Sequence, residues 1–212
     1  MTVSVEVFSD VICPWCFIGK RRLEKAVAAL DGSHTICVQW FPFQLNPHLP
    51  KAGISRRDYR IKKFGSWERS MELDANIVAI GKEEGIEFQF DRIERTPNTA
   101  DAHRLIWLAD QRGVQDAVVE ALFRAYFTAG QDIGNRDTLM EVVATAGLDR
   151  EAAAGFLDSD AGRDEVKTAN VKARHLGVAA VPYFIVNQKI QMSGAQEPDS
   201  FLTAFRQAMT SE

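Results

Sequence analysis

The chain has 212 residues, 46% hydrophobic and 25% charged, with a net charge of −4. That is ordinary globular composition, long enough to bury a core without disulfide staples. A mildly acidic chain with no basic block is a poor nucleic-acid binder, and no apolar run approaches the ~20 residues of a membrane helix.

Residues 3–8 alternate, with Val3, Val5 and Val7 on one face and Ser4 and Glu6 on the other, which predicts a strand. The first seven residues lack the basic region of a secretory signal, so a soluble cytoplasmic protein is expected. From Pro14 to about Leu30 the pattern is helical, with Ile18, Leu23, Val27 and Leu30 apolar. Asp31-Gly32-Ser33 should end this helix. Lys20-Arg21-Arg22 reads as its solvated face. Residues 35–43, rich in β-branched and aromatic side chains, predict a second strand. The helix between them is long enough to cross over between parallel strands.

From Gln44 the character changes. Pro47 and Pro50 punctuate a loop. Helices are expected over 56–64, 67–84, 98 or 99 to 111, 115–129 and 136–146, with a brief extended segment at 86–90. Such a block does not belong to the sheet and reads as an inserted helical subdomain. One more helix is expected over 149–176. A hairpin follows, with strands 183–186 and 189–193 across Asn187-Gln188. A closing helix spans 199–209. Trp40, Trp67 and Trp107 are candidates for the core.

The chemistry sits where the first strand meets the first helix, at Cys13-Pro14-Trp15-Cys16. A thiolate is the nucleophile in disulfide exchange, and a helix N-terminus stabilises negative charge. Cys13 would be the cap or the first residue of the helix, Pro14 suits its first turn, and Cys16 lies one turn on along the same face. Cys13 then attacks a disulfide and Cys16 resolves the mixed disulfide. A zinc site would need two further ligands. Cys37 stands alone and His34, His48, His103 and His175 form no close pair, so no metal is expected. Cys37, within a strand, is expected to be inert core. Val181-Pro182, at the mouth of a buried strand, is the second signal. A proline there serves a turn or a cis bond. In a thioredoxin-type domain a cis-proline faces the CxxC, and the residue before it can hydrogen-bond extended substrate backbone.

The run Phe8 to Leu23 resembles the FrnE-like branch of the DsbA family. Phe43-Gln44-Leu45-Asn46-Pro47, Asn98 to Leu105, Gly177 to Pro182 and Ser193-Gly194-Ala195-Gln196 match as well. The resemblance implies an α/β thioredoxin fold with an inserted helical domain. Residues 1–46 and 155–212 would form the thioredoxin-like part and 47–154 the insertion. It implies protein disulfide oxidoreductase or isomerase activity on protein thiols and disulfides, with no bound cofactor. Pro14, Trp15, Val181, Pro182 and His103 would contact substrate, and Cys13 and Cys16 would react. The same superfamily holds 2-hydroxychromene-2-carboxylate isomerase and the kappa-class glutathione transferases, which typically carry serine in place of Cys13. Glutathione therefore stays open as redox partner or ligand. The alternatives are a glutathione-dependent isomerase or transferase and a redox-inactive peptide-binding chaperone. Pro14-Trp15 lacks the histidine found between the cysteines of periplasmic DsbA, so Cys13 should be less acidic and its disulfide less oxidising.

Overall fold

The computed structural model describes residues 2–30 and 34–210. Strand β1 (Thr2–Ser9) is interior to a four-stranded sheet, with Val3, Val5 and Val7 at most 1% exposed. Helix α1 (Pro14–Ala28) crosses over to β2 (Thr35–Pro42). The two strands are parallel, Val7 opposite Trp40 and Phe8 opposite Phe41. The stop expected at Asp31-Gly32-Ser33 lies outside the described residues. Strand β2 is an edge, and the Gln115 side chain caps it at Trp40 with bonds of 2.9 Å from N and 3.0 Å to O. Such capping blunts an exposed edge.

Between β2 and the next strand of this sheet the chain is mostly helical. A two-residue strand β3 (Ile54–Ser55) leads into α2 (Arg56–Phe64) and α3 (Trp67–Glu83). The segment expected to be extended at 86–90 pairs with no strand; its Phe88 and Phe90 turn into an aromatic cluster and a 3-10 turn follows. Strand β4 (Arg95–Thr96) pairs antiparallel with β3. Two-residue strands are too short to show a period of two, and the sequence did not disclose them. Helices α4 (Ala100–Asp110), α5 (Gln115–Phe127), α6 (Arg136–Thr145) and α7 (Arg150–Asp158) complete the block.

The single helix expected over 149–176 is two. After α7 the chain breaks at residues 159–162 and restarts as α8 (Arg163–His175). Gly162 has φ +76°, and a Cβ there would meet the Phe156 ring at 2.7 Å. The buried Arg104 guanidinium fills the break, donating to the carbonyls of Phe156, Ser159 and Ala161 at 2.7–2.9 Å. A partner 55 residues away satisfies what the local pattern would assign to helix. The boundary expected between 154 and 155 therefore falls inside α7.

Strands β5 (Tyr183–Val186) and β6 (Ile190–Ser193) form the hairpin, and α9 (Pro198–Thr210) closes the chain. Asn187 and Gln188 take φ of 46° and 57°, as a tight two-residue turn requires. Asn187 Oδ1 accepts the Ser4 N–H at 2.9 Å. The sheet order is β2-β1-β5-β6, with β1 and β2 parallel and the rest antiparallel.

Helix α1 is packed on both sides. Gly19 lets it approach the hairpin: an added Cβ would stand 3.0 Å from the Pro182 ring and 3.1 Å from Phe184. On the other side Phe17 stacks on Phe123 at 5.1 Å and meets Phe88 edge-on at 6.1 Å. Three expectations about burial are corrected. Lys20 is 2% exposed and paired with Glu24, Asp116 and Glu120, so Lys20-Arg21-Arg22 is no solvated face. Cys37 is exposed because this end of the sheet face is uncovered: Ser4, opposite it on the interior strand β1, is exposed as well. Trp67 and Trp107 are half-buried; Trp40 alone of the three is core, at 4% exposure.

Candidate active site

The turn between β1 and α1 places both sulfurs. Cys13 is the N-cap of α1 with extended backbone, and Pro14 takes the first helical position. The Cys13 N–H donates to Asp10 O at 2.9 Å and the Cys16 N–H to Cys13 O at 3.0 Å. Asp10 is fully buried and accepts the Leu45 N–H on Oδ2 at 2.8 Å, tying the turn to the segment after β2. Phe43 N–H donates to Ser9 O at 3.0 Å beside it.

From the far end of the chain the α8–β5 loop meets this turn. The Val181–Pro182 peptide is cis. The Cys13 thiol lies 3.4 Å from the Val181 carbonyl oxygen, to which it donates. Pro182 is buried behind Val181 against Gly19, and its carbonyl accepts the Gly194 N–H at 2.8 Å. A cavity of about 280 Å³ opens over Cys13. Pro14, Trp15 and Val181 line it; Pro182 and His103 do not. His103, expected to border the groove, is 3% exposed, and its Nε2 lies 3.3 Å from Asp10 Oδ1. It belongs to the support beneath the turn.

The two sulfurs differ in environment. A hydrogen bond from the Cys16 thiol, aided by the N–H groups of Cys16 and Trp15, holds Cys13 below the ordinary cysteine value. Burial and the Asp10 carboxylate oppose this. Burial pushes the Cys16 thiol well above the ordinary value, and Cys13 beside it adds to the shift. Cys13 is 6% exposed and faces the cavity; Cys16 has no exposure. One sulfur is thus disposed to ionise and to be reached from outside, and the other to remain a thiol within reach of the first.

The opposite wall comes from the helical block. Arg56, Tyr59, Arg60 and Lys63 of α2 line the cavity with Tyr126 of α5. Arg56 and Arg60 share the carboxylate of Asp74 on α3, at 2.6 and 2.5 Å. Two guanidiniums on one carboxylate leave a net positive charge on this wall. Burial pushes the Tyr126 phenol up, so it stays protonated and donates to Arg95 O at 3.1 Å. The sequence reading passed over this set. The cluster Arg56-Arg57-Asp58-Tyr59-Arg60 after the proline-marked loop is the signal that would have drawn attention to it.

Against known proteins, residues 4–206 match the DSBA-like thioredoxin domain. The chain belongs to that family. It is 32% identical to the probable DsbA oxidoreductase SCO1869 of Streptomyces coelicolor, with a TM-score of 0.90 over 99% of this chain and 91% of that one. It is 29% identical to YwbO of Bacillus subtilis over 95% of this chain and 94% of that protein. Cytosolic disulfide reductase DsbM of Pseudomonas aeruginosa, at 19% identity, shares the fold with a TM-score of 0.69 over 97% and 98% of the two chains. The fold is therefore a thioredoxin fold of the DsbA type, and helices α2–α8 lie between its second and third sheet strands. Among the described residues no helix is long and apolar enough to cross a membrane.

Proposed function

We propose that this DsbA-type oxidoreductase exchanges disulfides with protein substrates, with Cys13 as nucleophile and Cys16 as resolving thiol. The supporting observation is the asymmetry of the pair: an accessible Cys13 at a helix N-terminus, held below the ordinary cysteine value, with a buried Cys16 one turn behind it. The Cys13 thiolate attacks one sulfur of a substrate disulfide and expels the other as a thiol. A mixed disulfide forms. Cys16 loses its proton, attacks Cys13 Sγ and expels the second substrate thiol. Two protein thiols are oxidised to one disulfide while one substrate disulfide is reduced to two thiols. A small-molecule thiol such as glutathione returns the pair to the dithiol; the Pseudomonas aeruginosa reductase of the same fold was solved with GSH.

Val181 presents backbone beside Cys13, where an extended substrate strand can pair with it. None of the main groups that shift Cys13 is a cation, which fits a thiolate less acidic than that of periplasmic DsbA. A cytoplasmic setting, with its reducing glutathione poise, fits reductase or isomerase action.

A second reading draws on the cationic wall. Arg60 and Lys63 could hold the carboxylates of glutathione or of a small isomerase substrate. Insulin reduction and scrambled-ribonuclease refolding separate the two. Dithiol exchange predicts activity in both assays that Cys13→Ser abolishes. Full activity of Cys13→Ser, or none in the native protein, overturns it.

A further inference from the structure

A cleft larger than the Cys13 cavity, about 720 Å³, runs beside it, and Leu45 lies in the wall of both. One side of the cleft is α8. Arg163, Lys167, Asn170 and Arg174 line it, at spacings of i, i+4, i+7 and i+11 along one helix face. The acidic residues of α8, Asp164 and Glu165, line the groove on the helix's other flank, with Lys172. The helix thus keeps its cleft flank free of carboxylates. Across the cleft is the first turn of α4, at Ala100 and Asp101, whose helix N-terminus adds positive potential. The one carboxylate on that side, Asp101, is already paired with Arg104 at 2.9 Å and Lys51 at 3.5 Å.

The cations on this flank of α8 are engaged to different degrees. Among the described residues Lys167 has no ion-pair partner. Arg174 lies over the Phe43 ring at 5.0 Å and donates to Gln44 O at 3.5 Å, but pairs with no carboxylate among them. Arg163 pairs with Asp160 at 3.0 Å, and that carboxylate is 94% exposed. Apolar side chains also line the cleft: Val171 is 46% exposed, and Val166 sits buried at its floor. A positive, partly apolar cleft on a chain of net charge −4 runs against the overall balance.

We propose that this cleft receives the acidic flank of an extended protein substrate while its cysteine is engaged at Cys13. The inference rests on the exchange reaction above and names the substrate class. Length argues for a peptide rather than a small anion. Arg163 to Arg174 spans about 16 Å along the helix at ~1.5 Å per residue, the reach of roughly five extended residues at ~3.3 Å each. The shared Leu45 sets the cleft directly beside the site where the sulfurs react.

The test uses the full chain and two fluorescein-labelled peptides that differ only in three glutamates against three glutamines. Both carry serine in place of the substrate cysteine, so binding is read by anisotropy without any sulfur chemistry. Exposed ion pairs change affinity by up to about fivefold each. The glutamate peptide should bind at least about fivefold tighter at low salt, and the ratio should shrink at high salt. Lys167→Glu should bring the ratio close to one. Lys172→Glu, the same charge change on the other flank of the same helix, should leave it near the native value. Equal binding of the two peptides overturns the inference, and so does equal loss in both variants. Displacement by free glutamate at the same concentration as by peptide marks a small-anion site and overturns it as well. Equal binding beside intact insulin reduction sinks the cleft and leaves the exchange reaction standing. Preferential binding without insulin reduction does the reverse.

Discussion

The Cys13 cavity has two walls, built on different length scales. The reactive wall is mostly local: Asp10 through Cys16 are neighbours in sequence on one strand-to-helix turn, and Val181 joins them from the far end of the chain. The facing wall is tertiary. Its Arg56 and Arg60 come from α2, their shared carboxylate from α3 and Tyr126 from α5. Phe17 joins the two, carried on the reactive helix and packed into the aromatic cluster of the helical block. The difference separates two tasks. In the proposed reaction the first wall would carry the sulfur chemistry, and the second would decide what can approach it.

Substitutions on the two walls should fail in different ways, which is the sharpest use of the comparison. Cys13→Ser should lower insulin reduction by roughly 10³-fold or more, because no second thiol is among the described residues that line the cavity. Arg60→Ala should instead act on KM for substrate and leave the thiolate absorbance titration of Cys13 unchanged. Similar losses of thiolate in both variants would break the distinction.

The next effect is on stability. Asp74 compensates two guanidiniums, each at most 13% exposed. Asp74→Ala leaves them unpaired and should cost about 3–5 kcal/mol in urea unfolding. A loss below about 1 kcal/mol would mean that water already satisfies these guanidiniums.

The reactive wall was legible because its signals are short. A CxxC between an alternating strand and a helix needs no distant partner to be recognised, and Val181-Pro182 announces itself beside an apolar run. The facing wall was not, because the role of Arg56 depends on Asp74, and that pairing is made only when α2 and α3 fold together. The same reason hid the break between α7 and α8, where Arg104 supplies donors from another helix. Cys37 was misjudged because sequence shows a strand but not which part of its face other elements cover. His103 was noticed on resemblance alone; its contact with Asp10 exists only once α4 packs beneath the turn.

A smaller effect follows from pH. Cys13 is held below the ordinary cysteine value of ~8.5, chiefly by the Cys16 thiol. Exchange rate should therefore rise with pH through an apparent pKa below that value. Cys16→Ala should move the midpoint upward. For folding stability the two cysteines act in opposite directions. The depressed Cys13 contributes stability that is present above ~8.5 and lost as pH falls through its folded value. The raised Cys16 contributes stability that is present below ~8.5 and lost as pH rises. Urea unfolding of the dithiol form between about pH 6 and 10, compared with each single cysteine variant, reads both signs. A midpoint that stays put in Cys16→Ala would contradict the assigned cause.

The smallest expected effect is at Cys37, exposed on β2 and away from both walls. Cys37→Ser should change stability by less than about 0.5 kcal/mol and leave insulin reduction intact. A larger effect on activity would place a third thiol in the exchange.

The central claim is the order of attack, Cys13 first and Cys16 second. Trapping tests it directly. Cys16→Ala is incubated with a peptide disulfide, and the adduct is mapped by mass spectrometry after digestion without reductant. The account predicts one stable mixed disulfide on Cys13, absent when Cys13 is replaced by alanine. An adduct on Cys37, or one on Cys16 in Cys13→Ala that forms as fast, would contradict it.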